Sequence, residues 1–109
     1  MVIVLVKFPI NPEYKEQFKE YTLQKFGEHG IENMEGFISM RVLEPKQLSP
    51  HMPPNNNFVI ETIWEDMEAF RKYTESEAFR KAHEKQPPKE FFAGQPSIEV
   101  YEVIKKVEK

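Results

Sequence analysis

The sequence predicts an α+β fold in which a four-stranded antiparallel sheet carries its helices on one face. Apolar runs rich in β-branched and aromatic residues alternate with amphipathic helical segments in the order β-α-β-β-α-β. That order is the ferredoxin-like arrangement, and the preference for right-handed crossovers leaves few other topologies. The 109 residues contain no low-complexity stretch that would separate two units, so one domain over residues 1–109 is expected.

The first strand and the first helix are predicted from the N-terminal part of the chain. Residues 2–8, "VIVLVKF", are rich in β-branched side chains and read as a strand. The helix is predicted in "NPEYKEQFKEYTLQKFGEHG", where the Asn11 side-chain oxygen would cap a backbone N–H and Pro12 suits the first helical position. Gly27 and Gly30 are predicted to end this helix.

Two further strands are predicted on either side of a loop. They cover residues 37–45, "FISMRVLEP", and residues 58–64, "FVIETIW". The loop, residues 46–57, contains three of the nine prolines and three consecutive asparagines, which are typical of turns. Its residues alone leave open whether it covers a pocket or is a surface excursion.

A helical pair and a fourth strand complete the predicted fold. The segments "EDMEAFRKY" and "SEAFRKAHEK" have a helical pattern, and Ser76 is predicted to cap the second one. The prolines of "PPKEFFAGQP" interrupt that pattern. Residues 97–105, "SIEVYEVIK", are predicted to form the last strand.

The apolar residues of the first two strands indicate that both faces of the sheet are covered. In "VIVLV" each face of the strand is apolar, and each face of "FISMRVL" carries at least two large apolar groups. Helices cover only one side, and a second copy related by a two-fold axis is the simplest cover for the other. We predict a homodimer whose sheets meet in a barrel-like core; the alternative is a monomer with a mildly apolar exposed face.

Composition and charge argue against several classes of function. With a net charge of −3, and with Lys and Arg interleaved among Glu, the chain is not expected to bind nucleic acid or anionic membranes. The sequence has no cysteine, which excludes disulfides and thiolate catalysis. The apolar start "MVIVLVKFP" is too short to span a membrane and lacks signal-peptide features, so a cytoplasmic protein is expected.

The sequence contains no motif for a common redox cofactor or for zinc. Its four glycines do not form a GxGxxG pattern, so neither flavin nor nicotinamide is expected. His29, His51 and His83 are too far apart for a zinc-binding motif. His83, at the end of the helical pair, is therefore the main candidate for chemistry.

A pocket between the helices and the sheet is the expected ligand site. Its predicted lining combines one face of the first strand with Phe18, Thr22, Phe26, Phe70, Tyr73, Phe79 and His83. Aromatic residues make up 13% of the chain, and so many in one cleft suit a small apolar or aromatic ligand. Aromatic side chains that simply fill a core have the same spacing, so the residues alone leave both alternatives open.

The position of His83 likewise has two interpretations. It ends an amphipathic segment just before "EKQPPKEFF", where a cationic side chain interacts favourably with the helix dipole by about 0.3–1 kcal/mol. It also follows Phe79 by one helical turn, which would place an imidazole ligand beside the pocket. A solvent-facing histidine and a ligand both remain open at this point.

Several segments resemble one protein family. "WEDMEAFRKYTESEAFRKAH" resembles a hallmark stretch of the antibiotic biosynthesis monooxygenase family, and "NPEYKEQF", "EGFISMRVLEP" and "PSIEVYEVI" are similar to other parts of it. Members of that family fold as dimeric α+β barrels, and "HGIENMEGF" resembles its heme-degrading branch. The resemblance covers nearly the whole chain and implies a homodimeric monooxygenase that holds heme between the helices and the sheet.

The resemblance also implies roles for three residues. In the heme-degrading branch a histidine ligates the heme iron, and it corresponds to His83 in "FRKAH". A tryptophan that packs on the porphyrin corresponds to Tyr73, which keeps an aromatic face and adds a hydroxyl. An asparagine that hydrogen-bonds the iron-bound oxygen corresponds to Val6. Val6 lacks that donor, so the resemblance supports heme binding better than heme cleavage.

Two other functions stay open. Some members of the family are cofactor-free oxygenases of electron-rich polycyclic phenols, and in such an enzyme Tyr73 and His83 would orient or deprotonate the phenol. The fold also suits a non-catalytic binding module, because fold does not determine function. A cleft filled by the protein's own side chains would favour that last alternative.

Overall fold

The computed structural model describes residues 1–27, 29–84 and 86–109, which form one antiparallel sheet with helices on one face. The strands are β1 (Val2–Pro9), β2 (Phe37–Leu43), β3 (Asn57–Trp64) and β4 (Ser97–Glu102). They lie in the order β2-β3-β1-β4, so the first and third strands occupy the centre. Every pair is antiparallel, which confirms the predicted ferredoxin-like α+β fold.

The helices are α1 (Lys15–Lys25), α2 (Met67–Thr74) and α3 (Glu77–Ala82), with 3-10 turns at Pro12–Tyr14, Ile31–Asn33 and Lys89–Phe91. The predicted Ser76 cap of α3 is confirmed, because its Oγ accepts a hydrogen bond from the Phe79 N–H at 3.1 Å. Asp66 caps α2 in the same way, and each cap satisfies a backbone donor of the first turn. Across the described ranges, no helix is long and apolar enough to cross a membrane.

The predicted capping role of Asn11 is wrong. Its side chain makes no capping hydrogen bond, and its Nδ2 donates instead to the carbonyl oxygens of Glu90 at 2.8 Å and Phe92 at 3.3 Å. The amide thereby ties the start of the helical region to the segment that leads into β4. A contact between segments so distant in sequence decides the role of this residue, and local spacing carries no signal for it.

Two strands are shorter than predicted. β4 ends at Glu102 rather than at residue 105, because its last partner is Val2, the first residue of β1. β2 ends at Leu43 rather than at residue 45, and Leu43 pairs with Val59. Both edge strands therefore end before their apolar patterns do, and the end of β4 coincides with the end of its partner strand.

The helix-covered side of the sheet carries two apolar clusters. The first surrounds the fully buried Trp64 and joins β1 to α2. The second surrounds the fully buried Phe18 of α1, whose ring meets the Phe58 ring edge to face at 4.9 Å. Aromatic pairs in this geometry add about 0.5–1.5 kcal/mol beyond their buried area. The space between the two clusters is the site described below.

Gly36 lies directly before β2, against α2, and has no room for a side chain. Its φ of 82° is in the left-handed region, and a Cβ built there would lie 2.5 Å from the Ala69 Cβ. We expect Gly36→Ala to destabilise the fold by about 2–3 kcal/mol, because left-handed strain of about 1–2 kcal/mol adds to the steric overlap. Urea unfolding at a fixed protein concentration measures this change in free energy.

Gly94→Ala is the matched control for this substitution. Gly94 has no positive φ, and an added Cβ would meet the Pro9 Cγ at 3.6 Å, an ordinary packing distance. We expect its free energy of unfolding to stay within about 0.5 kcal/mol of the native value. Equal losses in the two variants would contradict the steric explanation for Gly36.

Candidate functional site

A cavity of about 350 Å³ lies between the sheet and the helices, and its wall is mostly apolar. β1 and β3 form its floor through side chains that point toward the helices, such as Val4, Val6, Ile60 and Thr62. Residues of α2, α3 and the end of α1 form the opposite wall. The volume lies within the range of about 300–1,000 Å³ that small-molecule sites occupy.

Most of the predicted pocket residues line this cavity. They are Val6, Phe26, Phe70, Tyr73, Phe79 and His83. Phe18 and Thr22 lie instead in the core, and the Thr22 Oγ1 donates to the Lys19 carbonyl oxygen at 2.7 Å. The cavity begins beyond them, at the end of α1, so the buried side of this helix has a core part and a cavity part.

The register of β1 decides which of its side chains enters the cavity. Val6 pairs with Ile60 and Val4 pairs with Thr62, and all four line the cavity. Lys7 belongs to the opposite face of the sheet, where its Nζ lies 2.9 Å from the Glu99 Oε1. At the position where the resemblance implies an asparagine, this cavity therefore has an apolar wall.

Tyr73 occupies the closed part of the cavity. It is 8% exposed, its ring lies 5.2 Å from the Trp64 ring, and the Phe79 ring meets it edge-on at 5.4 Å. Its hydroxyl makes no hydrogen bond to any residue that the structure describes. Burial raises the pKa of the Tyr73 hydroxyl, so the group stays protonated at neutral pH.

His83 follows the last residue of α3 and caps that helix. Its ring Nδ1 lies 2.8 Å from the Phe79 carbonyl oxygen, and the two rings are 4.1 Å apart. A carbonyl oxygen only accepts hydrogen bonds, so Nδ1 carries a proton and the Nε2 of a neutral imidazole keeps its lone pair. The residue is exposed, yet it lines the cavity. His83 thus ends a helix and lines the cavity at once.

The sequence comparison agrees with this architecture. Residues 1–85, well over half of the chain, match the antibiotic biosynthesis monooxygenase family. This chain belongs to that family. The match includes every residue for which the sequence predicted a role in the site, and it confirms the resemblance. No curated protein sequence matches the chain significantly.

Several solved structures share the fold. The heme-degrader MhuD from Mycobacterium tuberculosis, with two hemes bound in its active site, is 22% identical with a TM-score of 0.72, over 99% of this chain and 100% of that chain. A putative antibiotic biosynthesis monooxygenase from Bacillus cereus is 24% identical with a TM-score of 0.74, over 99% and 95%. A variant of SnoaB, a cofactor-independent oxygenase from Streptomyces nogalater, is 14% identical with a TM-score of 0.60, over 99% and 97%.

The family match ends before the last strand, but the cavity does not. Pro87, Ser97 and Ile98 lie beyond residue 85 and line the cavity together with residues of the matched region. Ser97 and Ile98 belong to β4, which pairs with β1. The site of this family member is therefore completed by the end of the chain.

Polar residues at the mouth were missed by the sequence analysis. Lys25, His29, Gln86 and Ser97 line the cavity and are exposed. The His29 Nε2 lies 2.8 Å from the Lys25 carbonyl oxygen, so this second histidine uses the ring nitrogen that His83 leaves free. Their only signal in the sequence is proximity to the end of a helix or the start of a strand, which does not distinguish a cavity mouth from open surface.

Thr62 was also missed, at the closed end of the cavity. It is 8% exposed, and its Oγ1 accepts a hydrogen bond from the Trp64 Nε1 at 2.9 Å. The alternation along β3, which places Ile60, Thr62 and Trp64 on one face, could have identified it. A threonine among apolar residues of the cavity-facing side is the informative departure from that pattern.

The loop at residues 46–57 is a surface excursion, which answers the question that the sequence left open. The structure describes all of it, and none of its residues lines the cavity. Leu48 is 86% exposed, and the loop is held by local contacts such as the Gln47 Nε2 to the Met52 carbonyl oxygen. The Lys15 Nζ bonds the Asn55 carbonyl oxygen and anchors the loop to α1.

Proposed function

We propose that this protein is a heme-binding monooxygenase in which His83 supplies the iron ligand. The observation that carries the proposal is the hydrogen bond between the His83 Nδ1 and the Phe79 carbonyl oxygen at 2.8 Å. Histidines that bind metals usually donate their other ring N–H to such an acceptor, which fixes the tautomer and the ring orientation. The Nε2 lone pair is then free for the iron of a heme held in the cavity.

The residues of the cavity fit a flat apolar macrocycle. Phe26, Phe70, Tyr73 and Phe79 offer aromatic surface, and the pocket wall is otherwise mostly aliphatic. The exposed Lys25 at the mouth suits the carboxylates that heme carries on one edge. Bound heme would supply the redox chemistry with dioxygen, whereas the protein side chains bind and orient it and exclude water. MhuD, which has this fold, binds heme and degrades it.

Val6 separates heme binding from heme cleavage in this proposal. The cavity position at which the resemblance implies an asparagine offers only a methyl-covered surface. His83 supports heme binding. Val6 has no hydrogen-bond donor, so this position gives no support to heme cleavage. The two activities therefore need separate measurements.

We also propose that the protein is a homodimer that buries the sheet face opposite the helices. By the strand register, Ile3, Leu5, Val59 and Ile63 lie on that face, and each is only half-buried in a single chain. Glu61 lies among them, and its carboxylate is paired with the Arg41 Nε at 2.7 Å. A second copy would cover this apolar surface without leaving that charge unpaired.

Hemin titration of the purified protein tests the main proposal. We expect a saturable shift of the Soret band, because an imidazole ligand changes the electronic spectrum of ferric heme. Adding a reductant under air, with catalase present to remove free peroxide, then tests turnover: bleaching of the band means cleavage, and a stable spectrum means binding alone. A spectrum that remains that of free hemin would contradict the proposal.

A second candidate is a cofactor-independent oxygenase of electron-rich polycyclic phenols. The Tyr73 hydroxyl, which lies in an aromatic cavity and has no hydrogen-bond partner among the described residues, favours it. SnoaB, a cofactor-independent oxygenase, shares the fold. Because burial raises the pKa of Tyr73, this residue would orient a phenol and His83 would take its proton. Oxygen uptake with a quinol in metal-free protein discriminates this candidate from the first. The cavity beside His83 argues against a non-catalytic module with a filled cleft.

A further inference from the structure

Two hydroxyl-bearing residues line the buried part of the cavity, beside the same tryptophan. Thr62 on β3 and Tyr73 on α2 are each 8% exposed, and both line the cavity. They flank the same indole: the Thr62 Oγ1 accepts from the Trp64 Nε1 at 2.9 Å, and the Tyr73 ring is 5.2 Å from the Trp64 ring. The proposed roles of His83 and of the aromatic wall do not use these two hydroxyls.

Neither hydroxyl donates its proton to a residue in the described part of the chain. Thr62 only accepts, from Trp64, and Tyr73 has no hydrogen-bond partner there. Both residues line the cavity, and the Tyr73 hydroxyl is not among the fully enclosed, unpartnered side-chain atoms of the described residues, so it faces open space. That space is the cavity. A buried donor without a partner is unfavourable, and a ligand acceptor placed there would satisfy it.

We propose that Thr62 and Tyr73 form a two-donor subsite that binds the carbonyl oxygen of a polycyclic aromatic ligand. The exposed residues of the lining, such as His83 and Gln86, mark the mouth, whereas Thr62 and Tyr73 mark the closed end. The ligand would therefore enter with its carbonyl edge first and keep its apolar rings between the aromatic side chains. This inference rests on the proposed function in that the cavity is the ligand site, but it does not require iron.

Two tricyclic probes that differ by one oxygen atom test the subsite. 9-Fluorenone carries a carbonyl where fluorene has a methylene, and equilibrium dialysis measures the affinity of each probe for the full chain. One hydrogen bond of about 1 kcal/mol is about fivefold in affinity, so two donors predict that fluorenone binds about 25-fold tighter than fluorene. A ratio near one in the native protein would overturn the inference.

Variants assign the preference to the two hydroxyls. Tyr73→Phe and Thr62→Val should each reduce the fluorenone-to-fluorene ratio about fivefold while leaving fluorene affinity nearly unchanged. Thr62→Ser keeps the donor and should keep the ratio. Thr62→Val also removes the acceptor of the Trp64 N–H, so Tyr73→Phe, which disturbs no described hydrogen bond, carries the test if that variant fails to fold. An unchanged ratio in Tyr73→Phe would contradict its role as a donor.

The infrared carbonyl stretch of bound fluorenone separates donation from a structural effect. In the native protein it should lie at lower frequency than in an apolar solvent, and Tyr73→Phe should move part of that shift back. Hemin titration distinguishes the two proposals. A Soret shift without a preference for fluorenone supports the heme proposal and contradicts the subsite. A preference for fluorenone without a Soret shift supports the subsite and contradicts the heme proposal.

Discussion

His83→Ala is expected to abolish the saturable Soret shift that the heme proposal predicts for the native protein. The substitution removes the Nε2 lone pair, whose orientation is set by the Nδ1 hydrogen bond to Phe79. Losing only a hydrogen-bond partner of a metal ligand typically costs about 10–100-fold in affinity, so loss of the ligand itself should weaken hemin binding by at least about 100-fold. Absorbance titrations of the native protein and the variant with hemin, at the same protein concentration, measure the effect.

His29→Ala is the matched control for that experiment. His29 also lines the mouth of the cavity and is exposed, but its Nε2 lies 2.8 Å from the Lys25 carbonyl oxygen. Its removal should leave the Soret shift and the hemin affinity within about threefold of the native values, since exposed side chains away from a ligand bond contribute little. If His29→Ala loses hemin binding and His83→Ala retains it, the proposed assignment of the iron ligand to His83 is wrong.

Leu5→Glu is expected to convert the proposed homodimer into a monomer. Leu5 is the central residue of β1 on the face away from the helices, and its strand partners are Glu61 on one side and Glu99 on the other. A third carboxylate at this place would have no cation, and burying it against a second copy should cost about 3 kcal/mol or more, at least about 100-fold in the dimer dissociation constant. Sedimentation velocity over a range of micromolar concentrations measures the change.

Leu23→Glu serves as its control, because it makes the same chemical change on α1. Leu23 is 71% exposed, and the helices lie on the other side of the sheet from the proposed interface. This variant should sediment as the native protein does. The proposed interface is refuted if Leu5→Glu remains a dimer, or if the native protein is a monomer at micromolar concentration.

The fold was predictable because each element has a local signal. β-branched runs and helical spacing identify the strands and helices, and Ser76 caps α3 as its position predicts. The errors occur where partners distant in sequence decide. Asn11 bonds backbone about eighty residues away, and β4 stops where β1 has no more residues to pair with. Neither contact leaves a trace in local periodicity.

The candidate site was predictable in part, for a related reason. Helical spacing shows which side of α1 is buried, but it does not show that Phe18 packs on Phe58 in the core whereas Phe26 also lines the cavity. The difference depends on how far the helix extends over the sheet. Thr62 shows the opposite case, because the alternation along β3 places it on the face toward the helices. A polar side chain among the apolar residues of that face is a signal that the sequence itself contains.

The chain contains one tryptophan, and the fold places it directly behind the closed end of the cavity. Its indole N–H bonds Thr62 and its ring packs on Tyr73, both of which line the cavity. The protein therefore carries a built-in optical reporter at the place where an occupant would sit. Emission from this single residue can follow occupancy in real time without any label, and a porphyrin would quench it by energy transfer.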